Sequence, residues 1–340
     1  LQQLTSSLAR MEGILEDALE DDFAELDKSD IETWHINVGG MVGRAEGAMA
    51  LWEAYTGSDN NDPVPMARWI TLLNSGGQFG FELRCSPILA ADILQDNLWS
   101  RAAGVIVTSA TITALNSFER FMLHSGSPPE GNYKVVASPF DYANATFRVP
   151  AMDCDPSDAQ AHTDALIARM PQLLGHREAC LVLFSSRRQM LDVHEGLRTE
   201  ELGERILMQG DYSKQEILRR HREAVDKGEG SVIFGLASFA EGVDLPGDYC
   251  RHVVIAKIPF AVPDSPLEAA LSEWIEAQGR NPFMEISVPD AALRLVQASG
   301  RLLRTEQDTG RVTLMDRRVL TRRYGRAILD SLPPFKRELG

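Results

Sequence analysis

The sequence contains no C-x-x-C pair. Its four cysteines, Cys85, Cys154, Cys180 and Cys250, are far apart. Zinc and iron–sulfur sites usually rest on at least one close pair, so this spacing argues against either, and no metal ligand set is expected from the chain itself. Scattered cysteines in a chain of 340 residues read instead as buried thiols in a reducing cytosol. Long apolar runs are also missing: the longest, such as "GVIVTSATI", are strand-sized, well short of the ~18 residues of a membrane span. The N-terminus has neither the basic start nor the apolar centre of a signal peptide. A soluble, cytoplasmic protein is expected. Positive charge is scarce, with 34 Lys and Arg against 49 Asp and Glu and a formal net charge of -15. That balance excludes a uniformly basic surface that grips nucleic acid everywhere. It leaves only local basic segments, "SSRRQM", "KQEILRRHRE" and "RRVLTRRYGR", each of which, taken alone, reads first as a solvated helix face.

What is present has the periodicity of an α/β protein. The length suggests about two domains. Leu1, Leu4, Leu8, Met11 and Leu15 recur at helical steps, and residues 1–60 read as helical segments. "GSDNNDPVP" breaks the pattern, and "WITLLNSGGQFGFELRCSPI" reads as two strands around a Gly-Gly turn. "GVIVTSAT" has the β-branched composition of a buried parallel strand, followed by a helix over "TALNSFERFMLHSG". The Gly/Pro cluster "SGSPPEGN", residues 125–132, is the best domain boundary. Beyond it strands and helices alternate, which predicts βαβ units and a parallel sheet covered on both faces. In such sheets ligands sit at the carboxyl ends of the strands. The polar rim there comprises Ser109, Ala110 and Thr111; Ser185, Ser186 and Arg187; Gln209, Gly210 and Asp211; and the loop "GLASFAEGVDLPG".

Three stretches invite chemistry. In "QASGRLLR", Gln297, Arg301 and Arg304 fall at i, i+4 and i+7, one face of a predicted helix, with Leu293, Val296 and Leu303 on the buried side. Gly300 leaves room for close approach of a ligand or backbone. Arginine's planar fork matches phosphate oxygens, so two on one face suit a γ-phosphate; the plainer alternative is two salt-bridging surface arginines. The loop from Gly235 to Asp244 can offer backbone N–H groups to phosphates, with Ser238 reaching a phosphodiester and Asp244 a ribose or an arginine; a tight glycine turn is the alternative. In "TSAT", the hydroxyls after the predicted strand read first as a helix cap, and otherwise as a relay between sites.

Taken in order, "TSATIT", "LVLFSSRRQM", "GLASFAEGVDLPG" and "QASGRLLRT" resemble motifs III, IV, V and VI of superfamily 2 helicases, closest to the XPD-like, iron–sulfur-containing branch. The likeness is good from about residue 80 to the end. It implies RecA-like motor domains, with residues 1–60 as the end of a helical arch insertion, 61–130 as the C-terminal part of the first motor domain, and 131–340 as the second. It further implies an ATP-dependent, 5′→3′ DNA helicase of DNA repair and the DNA-damage (SOS) response, acting on single-stranded and forked DNA as a cytoplasmic, nucleoid-associated monomer. Its cofactors would be ATP, Mg2+ and a 4Fe–4S cluster whose cysteines lie outside this chain. Under the resemblance Arg301, Arg304 and Gln297 are catalytic, and Glu241, Gly242, Asp244 and Gly300 face the nucleotide. Ser185, Ser186, Arg187, Ser238 and Phe239 lie along the DNA path, and Ser109, Ala110 and Thr111 couple nucleotide state to domain movement. Ser138, Pro139 and Phe140 resemble the crossing into the second domain.

No G-x-x-x-x-G-K-S/T phosphate loop and no D-E-A-H-like string occurs in the sequence. With Leu1 inside a helical pattern, the expectation is a C-terminal part of a longer helicase that does not hydrolyse ATP alone. The alternative is a non-catalytic RecA-like nucleic-acid-binding or interaction module.

Overall fold

The computed structural model describes residues 1–20, 27–57, 64–236, 239, 241–261 and 265–340. These fall into two compact units, one of residues 1–89 with 263–278, the other of 90–262 with 279–340.

In the first unit, α1 (Gln2–Glu20) and α2 (Lys28–Thr56) form a hairpin. The Thr5 hydroxyl lies 3.1 Å from Met49 Sδ, and Gly39 of α2 passes so near Glu12 that a Cβ there would meet its carboxylate at 2.8 Å. Asp27 caps α2 by accepting from the Ser29 N–H. Strands β1 (Met66–Ser75) and β2 (Gln78–Pro87) pair antiparallel around Gly76 and Gly77, both at positive φ. That two-residue turn with two left-handed positions matches the right-handed twist of the strands, and glycine adopts it without strain. The Tyr55 hydroxyl of α2 is within hydrogen-bonding distance of the Trp69 and Arg84 carbonyls of the hairpin.

The second unit is built on a seven-stranded, wholly parallel sheet in the order β5-β6-β4-β7-β8-β3-β9. The strands are β3 (Ala145–Val149), β4 (Ala179–Phe184), β5 (Ile206–Met208), β6 (Ser231–Leu236), β7 (His252–Ile255), β8 (Gly310–Leu314) and β9 (Lys336–Leu339). Central strands buried on both faces explain the near-continuous apolar runs of β4, β6 and β7. Leu181, Leu183, Ile233, Val253, Ile255 and Val312 point into one core. Cys180, Val182, Phe184, Phe234 and Val254 point into the other.

Before the sheet come the short helices α3 (Ala91–Leu94) and α4 (Glu119–Ser125). Helices α5 (Ala159–Leu173) and α6 (Arg187–Leu197) cover the second core with Leu166, Met170, Met190 and Val193. A short turn of helix, α7 (Glu201–Glu204), leads into β5. Helix α8 (Lys214–Asp226) covers the first core with Ile217. Helix α9 (Pro266–Ala277) belongs to the first unit. Helix α10 (Val288–Ser299), then α11 (Arg318–Thr321) and α12 (Arg323–Ser331), complete the first core with Leu295, Val319 and Ile328. The α/β reading with a parallel sheet and helices on both faces therefore holds.

Four local expectations are corrected. "GVIVTSAT" is not a strand: residues 104–111 are irregular and, as far as Ala110, exposed, Ile106 at 95%. A β-branched run becomes a buried strand only between neighbours, and among the described residues none pairs with it. The helix expected from Thr113 begins at Glu119, because Leu115 and Asn116 adopt positive φ in a tight turn closed by Ala114 and Ser117. "QASGRLLR" is only partly helical, since α10 stops at Ser299. Finally, Cys180 and Cys250 are buried thiols, whereas Cys85 and Cys154 are half-buried.

Candidate functional site

The carboxyl edge of the sheet gathers much of the polar rim. Helix α10 is fixed by Ala291, Ala292, Leu295 and Ala298, all buried. Leu293 and Val296 are only half-buried and face a small crevice shared with Ala110 and Thr111. Gln297 is the last residue of the expected triplet that is still helical. Gly300 has φ -66, so any residue could take its backbone, and its Cβ position meets the Val296 carbonyl at 3.3 Å.

Arg301 and Arg304 sit on the turn beyond. The sequence reading missed Asp308, which organises that turn. Its buried carboxylate accepts from the N–H of Arg304 (2.7 Å), the N–H of Thr305 (2.9 Å), the Thr305 hydroxyl (2.6 Å) and the N–H of Gly247 (3.0 Å). Burial pushes the Asp308 carboxyl up, but these four donors outweigh it and hold it below the usual range. The spacing Thr305-x-x-Asp308 is that of a capping box, the one sequence signal that could have revealed it.

From this turn the Arg301 guanidinium donates to the Val243 carbonyl at 3.1 Å, and Arg304 Nε donates to Asp244 Oδ1 at 2.7 Å. Both arginines thus reach the loop after β6. The Arg304–Asp244 pair is largely exposed and contributes about 0–1 kcal/mol. Burying Leu302 and Leu303 beside it contributes about 1.5–3 kcal/mol each, so apolar burial, not the ion pair, sets the position of the turn. Burial lowers the Arg301 pKa and the neighbouring Arg304 charge adds to this, with Glu241 and Asp244 opposing.

The β6 loop is braced from α8. Lys214 donates to the Glu241 carbonyl, and Arg222 donates to the Asp244 carbonyl at 3.0 Å. Glu241 and Gly242 are exposed. Gly242 takes φ +68, so a side chain there would be strained. Ser238 lies outside the described residues. Phe239 is not on the surface: its ring is buried under Lys214 and against Gly235, where a Cβ would meet it at 2.8 Å. It shapes the loop and offers no face on which a base could stack.

Elsewhere along the edge, Ser186 caps α6 by accepting from the Gln189 N–H, while Ser185 and Arg187 are exposed. Arg187 reaches towards Gly210. Gln209 ties β5 to β6 by accepting from the Leu236 N–H at 2.8 Å. Ser109 accepts from the Thr111 N–H, and the Thr111 hydroxyl accepts from Gln297 Nε2 at 3.1 Å. "TSAT" therefore caps no helix. It makes a local turn and touches the arginine-bearing segment.

The four cysteines do not form a cluster ligand set. Among the described residues the one group able to hold a metal contains a single cysteine. The described helices include none long and apolar enough to cross a membrane.

Comparison with known proteins shows what the chain is similar to. Residues 172–335 match the helicase C-terminal domain family. The chain is 43% identical over 304 residues to the ATP-dependent DNA helicase DinG of Photobacterium profundum, covering 88% of this chain and 44% of the relative. With DinG of Escherichia coli K12 it shares 33% identity over 347 residues, 98% of this chain and 48% of the relative. The chain thus spans about half the length of these relatives. Among solved structures, S. tokodaii Xpd4 superposes with a TM-score of 0.53 at 15% identity, over 79% of this chain and 50% of that one, a likeness of fold. Residues 172–335 thus match a helicase C-terminal domain, and the chain is similar to the DinG helicases along most of its length.

Proposed function

We propose that this chain supplies the second half of a split ATP site in a DNA helicase, with residues 131–340 as its second motor domain. The observation that carries this reading is the convergence of Arg301 and Arg304 on the exposed Glu241–Asp244 loop at the carboxyl edge of the sheet. A guanidinium has five N–H donors, so one tether to Val243 or Asp244 does not exhaust it. A γ-phosphate delivered from a facing motor domain would compete with Asp244 for Arg304 and accept from Arg301. Both arginines would then stabilise the charge of phosphoryl transfer, typically by ~10³–10⁵ in rate. Bound ATP with Mg2+ supplies the scissile phosphoanhydride and neutralises its leaving group; the phosphate cradle and the metal-holding carboxylate are assigned to residues outside this chain. Gln297, held to Thr111, would report nucleotide contact to Ser109–Thr111 and so couple it to domain closure.

The DNA face would comprise Ser185, Ser186, Arg187 and Ser238, with Phe239 behind it as support. Single-stranded DNA, forked substrates, 5′→3′ polarity, a role in DNA repair and a cytoplasmic, nucleoid-associated monomer complete the proposal. The DinG relatives' description as ATP-dependent DNA helicases supports it. The 4Fe–4S cluster would sit on cysteines beyond this chain. The isolated 340-residue chain should bind single-stranded DNA with steep salt dependence yet show no DNA-stimulated ATP turnover. Turnover abolished by Arg301→Ala would refute the split site. Binding without turnover, even in the full-length protein, would favour the non-catalytic module.

A further inference from the structure

At the amino end of the sheet, opposite the proposed ATP site, three strands line up one row of polar side chains. Cys180 of β4 is in register with His252 of β7, and His252 with Arg311 of β8. Residues in one register row point to the same face. Glu178 precedes Cys180 by two and shares that face. Here a carboxylate, a thiol and an imidazole bring one donor atom each within 4.8 Å of one another. Glu178 Oε2 is 3.7 Å from Cys180 Sγ and 3.6 Å from His252 Nδ1. Tetrahedral zinc, with bonds of about 2.0–2.3 Å, puts its oxygen, nitrogen and sulfur donors about 3.3–3.6 Å apart. The two distances from Glu178 therefore stand within a few tenths of an ångström of ligand spacing, and the third donor pair lies within 4.8 Å.

The imidazole gives the independent sign. His252 is fully buried, and its Nδ1 is without a hydrogen bond, the Glu178 oxygen being too distant for one. Its other nitrogen, Nε2, lies 2.8 Å from the Thr313 hydroxyl. When Nε2–H donates there, the Nδ1 lone pair points at Glu178 and Cys180. Metal-bound histidines are usually oriented through such a second hydrogen bond. Buried polar atoms without partners are costly, and a bound cation would satisfy this one.

We propose that Glu178, Cys180 and His252 form a site for one zinc-class divalent cation, clasping β4 to β7 at the amino edge of the sheet. An oxygen, sulfur and nitrogen donor set suits a borderline-soft ion, with water in the fourth position. Burial keeps the imidazole neutral, as a ligand must be. Burial also raises the Cys180 thiol well above its ordinary value, so zinc must displace its proton on binding. Arg311 is the competitor, holding Glu178 Oε2 at 2.6 Å. Both line a cleft open to solvent, so the Glu178 side of the proposed site borders water.

The test uses the 340-residue chain, stripped with chelator and titrated with Co2+ or Zn2+ alone, so neither nucleotide nor DNA enters the readout. One Co2+ per chain should bind with a thiolate-to-metal charge-transfer band. Zn2+ at a hundredfold excess over its Kd should raise Tm by about 5–10 °C. Glu178→Gln should weaken binding at least tenfold, and Cys180→Ser should abolish the band. Arg311→Gln should tighten binding, which a purely structural Glu178–Arg311 pair does not predict. No band and no metal-dependent shift in a folded chain would overturn the site. So would a band that survives in folded Cys180→Ser, or weaker binding in Arg311→Gln.

Discussion

At the scale of single residues, buried charge and exposed charge have opposite consequences. Asp316 is fully buried and holds Arg318 bidentately while accepting from the Ile258 N–H at 2.9 Å. Removing one partner of a buried pair leaves the other charge uncompensated, at a cost of about 3–5 kcal/mol. Asp316→Ala should therefore move the urea midpoint strongly. Arg304→Ala, which breaks the exposed pair with Asp244, should cost at most about 1 kcal/mol. A comparable loss in both variants would mean that the arginine turn depends on its ion pair. Asp308 belongs with the buried group. Asp308→Ala would strand the N–H groups of Arg304, Thr305 and Gly247, so Arg301 and Arg304 should lose their positions as well as stability.

At the scale of elements, the sequence was most legible where burial is two-sided. β4, β6 and β7 announce themselves by apolar runs, and Gly76–Gly77 announces its hairpin. β9, with the sequence Lys-Arg-Glu-Leu, is an exposed edge strand and has no apolar pattern to read. The run at 104–111 has the pattern of a strand but lacks neighbours here, and pattern alone does not supply them. The arginine motif was misread as geometry. Helical spacing placed Arg301 and Arg304 on one face with Gln297. Asp308 instead captures the N–H of Arg304 and folds the chain away after Ser299. Phe239 was legible as an aromatic near the site, but only packing against Gly235 shows that it is buried. The helix cap at Ser186 offers a clean element-scale test: Ser186→Ala removes the acceptor for the Gln189 N–H and should cost about 1 kcal/mol by denaturant unfolding. No change would mean that α6 is held by Met190 and Val193 alone.

At the scale of the molecule, the buried imidazoles set a pH limit. His162 and His221 are each lowered from the ordinary value of 6.5, chiefly by burial. The unfolded chain therefore takes up protons first as pH falls, so their contribution to stability is complete above about pH 6.5 and is lost below it. Tm should be flat above pH 7 and decline between pH 6.5 and 5, before the carboxylates titrate. A Tm constant down to pH 5 would contradict their burial as neutral groups. The whole-molecule claim is that an acidic chain keeps two arginines at a sheet edge because a phosphate arrives there from a facing domain. The most direct measurement is steady-state, DNA-stimulated ATP turnover by the full-length protein carrying Arg301→Ala, with single-stranded DNA affinity and Tm recorded alongside. The account predicts a kcat about 10³-fold lower with DNA affinity and Tm little changed. A kcat equal to that of the unaltered protein would contradict it.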